Sequence, residues 1–334
     1  MDIQRRMILA GGLALATATR ARAQQWGAPA TPAASDLGAP VWPVSERILL
    51  WPGSPPGAPA VLPTPSATMN GPKGARELWI SGIAAPEIGV FRSARPDGSA
   101  LVVFPGGGYS FLSVQNEGID AARCFNAVGI TVFVVNYRLP GEGWQGRDRV
   151  PLQDAQRAMR LVRSRAASYG IDPLRIGVLG FSAGGHLACD AATAFDERTY
   201  APVDAADQLS ARPDFAGLIY PVASLRAGVG HSGSRDQLLG QHASEGEIGR
   251  RSPAEHTRAD MPSCFVMHAM DDETVPVEAS FQFIAGCRKV DVPVEAHLFE
   301  HGGHGFGFHA PFEQPAARWP ELFAAWIRQR PSGR

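Results

Sequence analysis

The chain has 334 residues, of which 45% are hydrophobic and 19% charged, and a formal net charge of −1. A chain of roughly 300 residues buries about three quarters of its unfolded surface, so one α/β domain of this length needs neither disulfides nor a metal for stability. Its 31 basic and 32 acidic side chains balance and form no basic stripe, which excludes a nucleic-acid partner.

In chain order, Arg5 and Arg6 precede an apolar stretch from Met7 to Ala16, and Ala21-Arg22-Ala23 supplies small residues for cleavage before Gln24. This pattern predicts an export signal over residues 1–23 and a periplasmic destination. The paired arginines resemble a twin-arginine signal without its usual serine-containing consensus. A weak membrane anchor is the alternative. Cleavage would remove four arginines and one aspartate, taking the formal charge to −4. No later stretch approaches 18 uninterrupted apolar residues, so no stable membrane insertion is expected after signal removal. Residues 24–45, rich in Ala, Pro and Gly, are expected to form a flexible arm, leaving 46–334 as one catalytic domain.

A strand is expected over 46–52, and two short apolar runs within 76–92 read as a hairpin at a sheet edge. From residue 100 the rhythm alternates. Strands are expected at 101–105, 130–137, 176–179, 215–220, 264–269 and 292–299. Helices are expected at 116–128, 152–169, after 182 through 194, and near 276–287 and 317–329. Buried parallel strands joined by crossover helices imply a three-layer α/β/α sandwich with a mostly parallel central sheet. Residues 225–262 break the rhythm with a polar excursion holding His231, His242 and His256, read as site rim or partial lid. Cys124, Cys189, Cys264 and Cys287 fall in apolar segments and read as free buried thiols, although an even count in an exported chain permits disulfides.

Gly180-Phe181-Ser182-Ala183-Gly184 sits between an apolar strand and an Ala-rich helix. A sharp strand-to-helix turn there would project the Ser182 hydroxyl above the sheet as a nucleophile. A serine needs a base, and the base an orienting acid. Asp271 and Asp272 follow one strand, and His301, His304 and His309 follow the last. The order Ser, Asp, His is the one this architecture uses. Spacing alone leaves Asp271 and Asp272 open. His268, at the end of a buried strand, reads as a structural histidine. Gly106-Gly107-Gly108 after strand 101–105 suits an oxyanion loop in which the amides of Gly107 or Gly108 join that of Ala183. It lacks the Gly-Lys-Ser/Thr ending of a phosphate loop, and His301 and His304 lack a metal site's paired carboxylates. No cofactor and no metal are expected.

Taken together, these residues resemble the α/β-hydrolase superfamily, and within it exported bacterial esterases grouped with acetylxylan and pectin acetylesterase-like proteins. The resemblance covers most of 47–329. It is carried by FPGGGYSFLS (104–113), NEG (116–118), NYRLP (136–140), DPLRIGVLGFSAGGHLA (172–188), HAMDDETVPVEAS (268–280) and VPVEAHLFEHGGHGFGF (292–308). It implies an α/β-hydrolase fold and a catalytic triad of Ser182, Asp272 and His304. Pro105 stands where many lipases of the superfamily have histidine, which sets the chain apart from the hormone-sensitive-lipase-like branch. The implied substrate is a small acylated molecule such as an acetylated oligosaccharide. Tyr109, Phe181, Glu117 and Phe306 are the expected substrate contacts, with Glu117, Arg138 and Asp154 equally readable as braces behind the site. A broad short-chain carboxylesterase, a serine peptidase and a retired, non-catalytic fold are the competing readings.

Overall fold

The computed structural model describes residues 42–71 and 76–330. The expected signal at 1–23, and the expected arm up to residue 41, lie outside them. Among these residues there are ten strands: β1 (Arg47–Leu49), β2 (Ser66–Asn70), β3 (Glu77–Ser81), β4 (Glu87–Phe91), β5 (Ala100–Phe104), β6 (Thr131–Asn136), β7 (Ile176–Phe181), β8 (Phe215–Ile219), β9 (Ser263–Ala269) and β10 (Val294–Phe299). Seven helices accompany them: α1 (Asp120–Asn126), α2 (Val150–Ser164), α3 (Ser182–Thr193), α4 (Ser232–Leu239), α5 (Glu245–Arg250), α6 (Glu278–Lys289) and α7 (Trp319–Arg328).

Eight strands form one sheet in the order β1-β4-β6-β5-β7-β8-β9-β10, parallel from β6 to β10, with β4 antiparallel to both of its neighbours. The central strands are fully buried, as ALVVF of β5 and IGVLGF of β7 require. Such continuous apolar runs are stable only between two helical layers. Right-handed crossovers decide which layer each helix joins. From β5 to β6 the chain steps one way, with α1 between. From β6 to β7, β7 to β8 and β9 to β10 it steps the other way, so α2, α3 and α6 cover the opposite face. The closing α7 packs on β9 and on α1, where Phe125 meets Phe308, Trp319 and Phe323 edge to face and Phe265 and Phe308 add tilted contacts to Phe323 and Trp319. Each fully buried aromatic or aliphatic side chain there contributes about 1.5–3 kcal/mol.

The expected hairpin over 76–92 does not form. β3 pairs instead with β2 in a separate two-stranded sheet, while β4 enters the main sheet between β1 and β6. With both edges of β4 taken, no edge is left for β3. The bend at Gly82, held at φ +67, carries the chain from one sheet to the other. All four cysteines are buried and free.

Strand order reverses between β5 and β7, whose paired ends bring Phe104 opposite Gly180. In open α/β sheets the crevice at such a reversal, beyond the carboxyl ends of the strands, is where ligands bind. Gly106–Gly108 and Ser182 both lie just past that point.

Candidate active site

Ser182 opens α3 with φ +53, a left-handed backbone that L residues seldom adopt. Its neighbours must be glycine for want of space. A Cβ on Gly180 would lie 2.1 Å from the Gly184 carbonyl oxygen, and one on Gly184 would lie 2.1 Å from the Phe104 carbonyl oxygen. β5, β7 and α3 therefore meet at backbone contact, which holds the serine in its strained turn. Ser182 is 7% exposed, enough for its hydroxyl to meet a ligand at the end of the sheet.

His304 Nε2 lies 2.8 Å from Ser182 Oγ, and its Nδ1 lies 2.7 Å from Asp272 Oδ2. An ionised carboxylate only accepts, so Nδ1 carries the proton and Nε2 is left to accept from the serine. Asp272 is itself held from four directions. Its Oδ1 accepts the amides of Thr274 and Val275, each at 2.9 Å, and its Oδ2 also accepts from His268 Nε2 at 3.2 Å. Burial pushes its carboxyl up, but the hydrogen bonds from His268, His304 and Val275 outweigh burial and hold it well below the usual range. It is an anion at neutral pH. Asp271, left open by spacing alone, faces the other way. Its Oδ1 accepts the amides of Gly302 and Gly303 at 2.9 and 2.8 Å, bracing the loop that carries His304.

The glycine loop has the shape an anion hole needs. Gly107 sits at φ +127 and Gly108 at φ +63, and a Cβ on Gly107 would lie 2.1 Å from the Phe111 carbonyl oxygen. The Gly106 amide is taken by Glu117 Oε2 at 2.6 Å. Among the described residues the amides of Gly107 and Gly108 have no protein acceptor. That of Ala183, in the first turn of α3, can have none within the helix. These are donors available to a developing oxyanion.

The expected substrate contacts divide. Phe306 is half-buried at the mouth, its ring 5.2 Å from that of Tyr220. Tyr109 and Phe181 are corrected. Tyr109 is buried, and its hydroxyl donates to His186 Nδ1 at 2.7 Å. Phe181 is enclosed by Tyr220, Phe308 and Trp319. Glu117 has both carboxyl oxygens engaged by protein, one by the Gly106 amide and the other by the Tyr220 hydroxyl. Arg138 and Asp154 form a fully buried ion pair, to which Trp51 Nε1 also donates, and so brace the fold.

Three residues at the site were not assigned a part in it from sequence. His268 orients Asp272, donating Nε2–H to it and to the Val275 carbonyl while Ser280 Oγ contacts its Nδ1 at 2.8 Å. His231, from the 225–262 excursion, brings Cε1 within 3.7 Å of where a Gly108 Cβ would stand. Its Nδ1 caps α4 by accepting the Ser234 amide at 3.1 Å, leaving Nε2–H unclaimed beside the glycine loop. Burial, and to a lesser degree the neighbouring His304, lower its pKa, so it stays neutral. Tyr220 lies edge-on to His304 with ring centroids 5.0 Å apart. The histidines of the excursion were visible as a cluster, but nothing local marked the one that returns to the glycine loop. Among the described residues no group of three His, Cys, Asp or Glu side chains converges to hold a metal.

Residues 93–285, more than half of the chain and spanning the glycine loop and Ser182, match the BD-FAE family. The chain belongs to the BD-FAE family. Its three-layer sandwich with a largely parallel central sheet is the α/β-hydrolase fold. An acetylxylan esterase of Xylanibacter ruminicola is 33% identical over 247 residues, covering 72% of this chain and 48% of that protein. The BD-FAE chain thus spans about half the length of this curated relative. Among solved structures, an acetyl ester-xyloside bifunctional hydrolase from Caldicellulosiruptor lactoaceticus is 36% identical, with a TM-score of 0.65, covering 73% of this chain and 88% of that one. Esterase 2 of Thermogutta terrifontis with butyrate bound is 26% identical, with a TM-score of 0.60 and coverages of 73% and 89%. The same esterase phosphoramylated by tabun superimposes with a TM-score of 0.62 at 25% identity, covering 80% of this chain and 96% of that one.

Proposed function

We propose that this protein is an exported serine esterase that removes O-acetyl groups from carbohydrates, xylo-oligosaccharides foremost. The observation that carries the reading is the unbroken hydrogen-bonded line from Ser182 through His304 to Asp272, set beside three unclaimed amides. His304 takes the Ser182 proton as Oγ attacks the acetyl carbonyl carbon, and Asp272 holds the imidazole in the tautomer that can do so. The amides of Gly107, Gly108 and Ala183 stabilise the oxygen as it gains charge. His304 then gives its proton to the departing sugar oxygen. Water, deprotonated by His304, attacks the acetyl-Ser182 ester and releases acetate, restoring the serine.

The carbohydrate reading draws on the acetylxylan esterase and the acetyl ester-xyloside hydrolase as relatives. It is supported by half-buried aromatic faces beside the glycine loop. Phe111 packs against Gly107 and stacks on Trp79 with centroids 3.8 Å apart, offering a surface on which a sugar ring can lie. The butyrate held by the Thermogutta esterase favours a second reading, a short-chain carboxylesterase indifferent to the alcohol.

The chemistry is tested by incubation with paraoxon followed by intact-mass and peptide analysis. One diethylphosphoryl group is expected per chain, on the peptide carrying Ser182, and none on Ser182→Ala. An unlabelled protein, or a label elsewhere, would overturn the assignment.

A further inference from the structure

The oxyanion loop and the histidine loop come from opposite ends of the fold, after β5 and after β10. A buried polar chain joins them. Glu117, in a π-helical turn (Gln115–Ile119) leading into α1, is 3% exposed. Its Oε2 accepts the Gly106 amide at 2.6 Å, and its Oε1 accepts the Tyr220 hydroxyl at 2.8 Å. Tyr220 Oη in turn accepts the Gly307 amide at 2.9 Å, three residues beyond His304. The neighbouring Asn116 spans the same gap, accepting the Phe308 amide at 2.9 Å and donating to the Gly305 carbonyl at 3.2 Å.

Two details argue that this chain is more than packing. A Cβ on Gly106 would meet Glu117 Oε2 at 2.8 Å and Ser182 Cβ at 3.0 Å, so the carboxyl and the nucleophile crowd the same glycine. Tyr220 is held at φ +36, an unfavourable backbone that persists where surrounding contacts enforce it. Burying a carboxyl there is costly, and burial pushes it up to about 8 against the donors Tyr220 and Gly106. An apolar side chain would fill the space at lower cost but could not hold two donors that come from different loops.

We propose that Glu117 is a positioning residue that fixes the oxyanion loop and the histidine loop relative to each other through Tyr220. The amides of Gly107 and Gly108 and the imidazole of His304 then reach Ser182 together. The proposal rests on the serine-esterase reading above. The NH₂ of glutamine at 117 cannot accept a hydrogen bond, whereas each carboxyl oxygen can whether or not the group is protonated, so either Gly106 or Tyr220 would face an NH₂ group. Tyr220→Phe keeps the ring against His304 and removes the middle of the chain.

Glu117→Gln, Tyr220→Phe and the double variant are compared with the unchanged protein on 4-nitrophenyl acetate, each kcat expressed per serine titrated to completion by paraoxon. A positioning role lowers kcat per titrated serine about tenfold or more in each single variant, with KM changed less than about threefold. The double variant is then no slower than the slower single, since both cut one chain. Unchanged kcat per titrated serine, with only fewer competent molecules or a lower melting temperature, marks a structural brace and overturns the proposal. Losses that multiply in the double variant overturn it as well. If Glu117→Gln does not fold, Tyr220→Phe decides by the same criterion. An unchanged protein that neither turns over the ester nor takes up paraoxon overturns the esterase reading along with this one. A labelled, active protein indifferent to both substitutions overturns this one alone.

Discussion

At Asp272 every neighbour is a donor. Thr274 and Val275 amides point at one oxygen, and His268 and His304 point at the other. An asparagine would aim its NH₂ at donors whichever way it turned, and the His304 tautomer would be lost. Asp272→Asn is therefore expected to lower kcat on 4-nitrophenyl acetate by about 10⁴. Asp271→Asn, which loosens a brace made by backbone amides, should stay within about tenfold of the unchanged enzyme. Equal losses would mean that the wrong aspartate carries the role. Glu117 gives a pH signature of its own. Its carboxyl, raised to about 8 by burial, holds a proton in the folded protein that the unfolded chain releases near the ordinary value of about 4.3. The folded state thus binds the extra proton between those limits. Its contribution to stability is full below the lower limit and is lost as pH rises through about 8. Denaturant midpoints of the unchanged protein should fall relative to Glu117→Gln from pH ~5 to pH ~9. A constant gap would contradict this.

The meeting of Ser182 with His304 could be anticipated from sequence because a nucleophile and its base demand neighbours that sequence displays, small residues and a glycine-rich loop. Tyr109 and Phe181 misled for the opposite reason. An aromatic next to a motif looks the same in sequence whether it lines a pocket or fills the core beneath it, and only the path of the backbone decides. Glu117 stayed open because a buried carboxyl is recognised by its partners, which lie 11 and 103 residues away.

The elements that build the site are set by close contact more than by helix or strand propensity. α3 approaches β5 so nearly that Gly184 has no space for a methyl group, and its clash would be with the Phe104 carbonyl, which the sheet holds in place. Gly184→Ala is expected to cost about 3 kcal/mol or more in urea unfolding, because neither β5 nor α3 can retreat without breaking the ladder. Stability within about 0.5 kcal/mol of the unchanged protein would show that the junction is looser than described. The parallel strands were readable from their unbroken apolar runs. The separate pairings of β3 and β4, mistaken for a hairpin, were not, because alternation shows that a strand has two faces but does not name its partner. For the same reason the 225–262 excursion could be seen as an interruption, while its α4 and α5 and their anchoring required coordinates. Arg226 pairs there with Glu245 and Glu255, and the Arg251 side chain with Glu197.

On the scale of the whole molecule, the reversal of strand order gathers four distant segments at one end of the sheet. The glycine loop follows β5, the serine follows β7, the aspartate follows β9 and the histidine follows β10. Sequence order is spread over some 200 residues, yet each residue lies just past the carboxyl end of its strand, which is why strand ends were the right places to look. The same end carries His231 and the Trp79–Phe111 pair, which flank the glycine loop. The most direct test of the account is acetate release from acetylated xylo-oligosaccharides, with Ser182→Ala as the blank and 4-nitrophenyl acetate for comparison. The unchanged enzyme should release acetate from the sugars with a kcat/KM at least equal to that on the nitrophenyl ester, and Ser182→Ala should release none above the uncatalysed rate. Turnover of the nitrophenyl ester with the acetylated sugars left intact would contradict the carbohydrate role, and acetate release by Ser182→Ala would contradict the mechanism.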